Sequence, residues 1–267
     1  MIKIDKDYLN IPDSLQIPSV ENFPDVIPRV ATTTHNRRIE LIEGGEYIDN
    51  TNFNSRYKKK DVKRALSSLY KGKCAFCEQK VEQYHVEHYR PKKIYYWLAF
   101  SWDNLLLSCP TCNQKKDINF DLLGVKKDFE DSIENRNSIN VSCQIYDDIE
   151  LPRMVNPEST NPLGYIEFHK SGNITSDNDR FSYTIEKCQI DRDGLNDERR
   201  EILDVFKNDV ESILFEYNDP NIQREVLKFV IRKFIRESKK NRNQYLAFRK
   251  YALSANWLNQ IIKECGN

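Results

Sequence analysis

Four thiols, a carboxylate beside an imidazole, and two amides crowd into residues 74–116. Cys74 and Cys77 form one CxxC pair, and Cys109 and Cys112 form a second. A CxxC turn aims two thiolates at one ion, about 2.3 Å from each sulfur, and two such turns complete a closed tetrahedron that suits zinc. The four cysteines are therefore expected to hold a structural Zn2+. The 31 residues between Cys77 and Cys109 exceed a simple ribbon, so a functional element is expected inside the clasp. That interval carries Glu87-His88 and Asn104, and Asn113 follows one residue after the second pair. An imidazole can take a proton from water near neutral pH, and carboxylate and amide oxygens suit a hard cation such as Mg2+, which keeps several of its waters. A base beside a held cation is what hydrolysis of a phosphodiester requires. In a regular strand Glu87 and His88 would face opposite ways. They can serve one site only where the strand ends, and Pro91 makes such an end plausible.

The order Glu87-His88-x-x-Pro91, then Trp102-x-Asn104-Leu105, then Cys109-x-x-Cys112-Asn113-x-x-Lys116 resembles the HNH (His-Me finger) nucleases in their zinc-clasped form. The resemblance implies an α+β chain with a ββα-metal core. It makes His88 the general base, Glu87 and Asn113 the ligands of a catalytic ion, and Asn104 the residue that holds the base-bearing loop. Lys116 matches a trailing basic residue that contacts phosphate. The sequence departs from the family pattern in having Asn113 where histidine is frequent and Glu87 where aspartate is more usual. An amide oxygen favours Mg2+ or Mn2+ over a zinc-like catalytic ion. Residues 58–78 and Val155-Asn156-Pro157 further resemble the HNH proteins of Septu-type and retron-associated anti-phage systems, which implies an ABC/SMC-like ATPase partner. The implied substrate is DNA, with RNA such as tRNA as the alternative. A catalytically silent zinc module that binds nucleic acid or a protein is the reading from a different class.

Other candidates are weaker. His85 lies two residues before Glu87, on the same face of a strand, and is read as a polar strand residue near the site, with a supporting or extra-ligand role as the alternative. The three-residue spacing of His85 and His88 excludes an HExxH helix. His169 reads as a surface residue, and Cys143, Cys188 and Cys265 as small apolar fillers. Arg90, Lys92 and Lys93 alternate with Tyr95, Tyr96, Trp97 and Phe100, a mixture that could stack on bases. Packing of the long loop against the C-terminal helical unit through these aromatics is the favoured reading, with Arg90 and Lys92 kept as nucleic-acid candidates.

The elements that must position these groups divide the chain into four. Residues 1–57 are Pro-spaced and read as an extended N-terminal arm. Residues 58–123 hold a helix, from Val62, Ala65, Leu66 and Leu69 at helical spacing, followed by the chemistry. Residues 124–180 hold a polar, acidic linker over 124–160 and a β-hairpin over 164–177. Residues 181–267 read as a helical C-terminal unit, with a break at Asn218 and a restart capped by Asp219-Pro220.

Across 267 residues Lys+Arg 41 balances Asp+Glu 41, so net charge carries no nucleic-acid signature. Local basic runs at Arg56–Arg64, Arg90–Lys93 and Arg232–Lys250 fit one charged face, although each alone reads as solvated helix or loop. No apolar run approaches the roughly 20 residues of a membrane span, and no secretory pattern opens the sequence. The expectation is a cytoplasmic protein.

Overall fold

The computed structural model describes residues 1–18 and 28–266. Two short antiparallel pairs sit among helices: α1 (Arg29–Gly44), α2 (Thr51–Asn54), α3 (Lys60–Tyr70), β1 (His85–His88), β2 (Leu105–Ser108), α4 (Pro110–Lys116), α5 (Ile133–Ser138), α6 (Cys143–Glu150), β3 (Glu167–Phe168), β4 (Ile174–Thr175), α7 (Asp179–Lys187), α8 (Asp193–Glu216), α9 (Pro220–Lys239), α10 (Leu246–Ser254) and α11 (Trp257–Cys265). The architecture is α+β, and β1, β2 and α4 make up its ββα unit.

Helix α3 buries Val62, Leu66 and Tyr70, one stripe at four-residue spacing. Lys71 at φ 54° and Gly72 at φ 68° end it in the left-handed region and turn the chain into the first cysteine pair. Strand β1 pairs with β2 in the register His85 to Ser108, Val86 to Leu107, Glu87 to Leu106 and His88 to Leu105. All four residues of β2 are buried, and Leu105, Leu106 and Leu107 make a short apolar run.

The segment between the strands packs inward rather than outward. Tyr95, Trp97, Leu98 and Phe100 are each at most 1% exposed. Trp97 lies against Phe129 and Tyr146, Tyr95 against Phe120 and Phe100 against Tyr57, so these aromatics are core, and these contacts lie outside the C-terminal helices expected to receive them.

Two expectations of organisation are corrected. The first is that residues 1–57 form an extended arm. Within this segment α1 is a 16-residue helix. Its buried stripe of Ala31, Thr34, Arg38, Leu41 and Ile42 mixes polar with apolar residues, which blurred the periodicity. Arg38 is fully buried because its guanidinium donates to the carbonyls of Phe100, at 3.0 Å, and Leu15. Part of this segment, 19–27, lies outside the described residues. The second expectation is a linker over 124–160. Ile139, Cys143, Tyr146 and Glu150 are buried there at helical spacing and wall the core, while the acidic excess sits largely on the solvent side.

The hairpin and the C-terminal helices follow the sequence reading. Gly172 at φ 92° closes the β3–β4 turn, where an added Cβ would come within 2.0 Å of the Asn196 carbonyl oxygen. Asp219 caps α9 by accepting from the Asn221 amide at 2.8 Å, with Pro220 in the first turn. One detail differs. The last helical stretch is two helices, α10 and α11, broken at Asn256 with φ 58°. Among the described residues no helix is long and apolar enough to cross a membrane.

Candidate nuclease site

The four cysteine sulfurs lie within 4.8 Å of one another, all in buried residues. The Cys77 and Cys109 sulfurs are 3.9 Å apart. A zinc ion with bonds of about 2.3 Å sets tetrahedral sulfur separations near 3.8 Å, so the donor set fits zinc in size as well as in type. Local backbone explains the arrangement. Cys109 caps α4, its sulfur accepting from the Cys112 amide at 3.3 Å. On the other pair, Glu78 in the left-handed region at φ 63° turns the chain so that the Cys74 amide reaches the Gln79 carbonyl at 2.9 Å. The charge partner of the thiolates is one that local sequence does not reveal. Arg192 points its guanidinium at Cys112, 3.6 Å away, and at Cys109, 3.9 Å away. Lys73, beside Cys74 in sequence, instead donates to the carbonyls of Asn241 and Asn243.

The clasp holds β1 and α4 against each other and opens a cavity of about 590 Å3. Glu87, His88 and Asn113 all line it, together with Tyr57, Lys58, Lys63, His85 and Lys92. His88 is the last residue of β1, where the strand gives way to the loop, and this lets neighbours in sequence serve one pocket. Its Nε2 lies 3.0 Å from the Ala99 carbonyl. A carbonyl only accepts, so Nε2 carries the hydrogen and Nδ1 keeps its lone pair. The Tyr57 ring meets the imidazole edge-on, with centroids 4.5 Å apart. Burial, aided by the Lys92 charge, holds the His88 pKa down to about 3 and keeps the ring neutral.

Asn104 is fully buried and ties the loop to the strand. Its Oδ1 accepts from the Arg90 amide at 2.7 Å, and its Nδ2 donates to the carbonyls of Arg90 and Leu98, each at 3.1 Å. Asn104→Ala would orphan buried backbone groups at about 1–3 kcal/mol apiece. The expected result is a stability loss of about 3 kcal/mol, read by urea unfolding, with a misplaced His88.

Glu87 is buried, which pushes its carboxyl up, while Lys116 opposes the shift. Asn113 Nδ2 donates to Glu87 Oε2, and Lys116 Nζ donates to Glu87 Oε1 at 2.8 Å.

Two of the expected phosphate-contacting residues are turned inward. Lys116 is fully buried, and its ammonium also donates to the His88 carbonyl at 2.8 Å, which makes it a strut under the site. Arg90 is likewise fully buried. It pairs with Glu150 at 2.5 Å and with Asp147, among the rings of Tyr89, Tyr95, Phe120 and Tyr146. A long cationic side chain amid buried carboxylates packs there instead of facing solvent, which a local charge run cannot reveal. Lys92 does line the cavity, donating to the Tyr57 hydroxyl at 2.9 Å and lying 4.0 Å from the centre of the Tyr47 ring. Sequence reasoning missed Tyr57, whose place over His88 comes from the loop before α3 and carries no local signal.

Comparison with known proteins agrees with this geometry. Residues 74–117 match the HNH endonuclease family. Over 202 residues the chain is 29% identical to the Septu protein PtuB of Bacillus mycoides (strain KBAB4), spanning 65% of this chain and 65% of that protein. Over 69 residues it is 41% identical to the Septu protein PtuB of Bacillus thuringiensis, spanning 24% of this chain and 27% of that one. Each match therefore covers less than two thirds of the relative's length. No solved structure matches the chain. Residues 74–117 are thus an HNH endonuclease domain, within a chain that resembles the Septu protein PtuB.

Proposed function

We propose that this chain is a metal-dependent endonuclease that hydrolyses phosphodiester bonds of DNA, acting in the cytoplasm with an ATPase partner in anti-phage defence. The observation that carries the reading is His88, with Nε2 committed to Ala99, sharing one cavity with Glu87 and Asn113. His88 Nδ1 accepts the proton of the attacking water. Asn104 and Lys116 fix the loop and the carboxylate, and Lys92 lends a cation beside the phosphate path. A divalent ion, Mg2+ or Mn2+, held by Glu87 and Asn113 would stabilise charge on the phosphate and the leaving oxygen. Zinc at the four cysteines serves structure alone. Lys58, Lys63, Lys92 and Lys93 around the cavity are a small grip on a molecule of zero net charge, so target choice falls to another protein.

The test sets DNA and RNA side by side, with divalent metal omitted or varied, for the chain alone and with the co-expressed partner. Cutting of DNA only in Mg2+ or Mn2+ is expected. Cutting of RNA alone would reassign the substrate. No cutting in any combination would leave a silent zinc module.

A further inference from the structure

His85 stands beside the proposed ion site without a part in it. It lies two residues before Glu87 on β1, and alternate strand residues share a face, so both side chains project to one side. Helix α4 carries Asn113 across that face, and its amide bridges them. Nδ2 donates to Glu87 Oε2, while Oδ1 lies 2.9 Å from His85 Nδ1. His85 is exposed, and its side chain makes no other hydrogen bond among the described residues.

We propose that His85 is a third protein ligand of the divalent ion, completing a site with Glu87 and Asn113; this rests on the metal-dependent reading above. Adjacent ligands of an octahedral ion with bonds of about 2.1 Å are near 3.0 Å apart. The 2.9 Å between His85 Nδ1 and Asn113 Oδ1 matches such an edge. The site also needs a further donor. Glu87 shares its charge with Lys116, and the Asn113 amide is neutral, so two oxygens alone hold an ion weakly. An imidazole nitrogen raises affinity and moves preference from Mg2+ toward Mn2+, Co2+ and Ni2+.

The test titrates Mn2+ into the zinc-loaded full chain, with affinity from calorimetry and ligand identity from nitrogen couplings in pulsed EPR. Wild type is expected to show a directly bound imidazole nitrogen. His85→Ala is expected to lose that coupling and to bind Mn2+ at least about tenfold more weakly, with a smaller loss for Mg2+. Because His85 is exposed, zinc content and circular dichroism are expected to stay unchanged. His88→Ala, the control for a nearby nitrogen, is expected to keep the coupling. His85→Ala binding Mn2+ as tightly as wild type, with the coupling intact, would overturn the proposal alone. A wild-type chain that binds no Mn2+ would overturn the metal-dependent reading, and this inference with it.

Discussion

His88→Ala is expected to lower DNA cleavage by about a thousandfold or more, the scale at which a positioned base contributes to a proton transfer. The effect rests on tautomer and place. The Ala99 carbonyl fixes the hydrogen on Nε2, and the Tyr57 ring fixes the plane, so the lone pair on Nδ1 is set before any substrate arrives. No other imidazole can substitute in that geometry. His85 is exposed at the far end of β1, and its nearest polar contact is Asn113 rather than the Ala99 carbonyl. The variant is expected to fold, since it loses one hydrogen bond and part of one ring packing, about 1–3 kcal/mol together. Plasmid nicking is measured beside zinc content and circular dichroism. Cleavage equal to that of the parent, in a folded and zinc-loaded variant, removes His88 from the chemistry.

The chemistry-bearing residues were legible because their spacing is local. Two CxxC pairs, Glu87-His88, and Asn113 directly after the second pair each fall within a turn or two of chain, where residue type and spacing constrain geometry directly. The Asp219-Pro220 cap and the Gly172 turn were legible for the same reason, since each is fixed by its own backbone.

What long-range packing decides was not legible. Arg90 and Lys116 look like solvent-facing cations until Glu150, 60 residues on, and Glu87 are placed beside them. Arg192 reaches the thiolates from 80 residues beyond Cys112. Helix α1 was missed because Thr34 and Arg38 occupy its buried stripe. Helix α6 was missed because Glu150 does the same there. At Arg38, Arg90, Lys116 and Glu150 a buried polar group satisfied by distant partners breaks the rule that apolar residues mark the inner face.

Cys112→Ser is expected to release the zinc and unfold far more than the ββα unit. Two four-residue strands and a seven-residue helix cannot hold themselves together. Structural zinc supplies roughly 10 kcal/mol or more of linked folding energy in small sites, comparable to the whole stability of a domain. The first cysteine pair also carries the C-terminal helices. Glu78 accepts from the Leu246 amide at 2.8 Å at the start of α10, and Lys73 donates to Asn241 and Asn243 in the turn before it. Removing one sulfur also leaves Arg192 facing a broken thiolate set. Loss of the ion therefore loosens β1, β2 and α4 together with the α9–α10 junction, and protease cuts are expected in both regions. Chelator treatment of wild type is expected to reproduce the effect, whereas Cys265→Ser, a half-buried cysteine outside the cluster, is expected to keep zinc and midpoint alike. If Cys112→Ser retained a full equivalent of zinc and unfolded at the parent's urea midpoint, the clasp would not be what holds the catalytic strand in register.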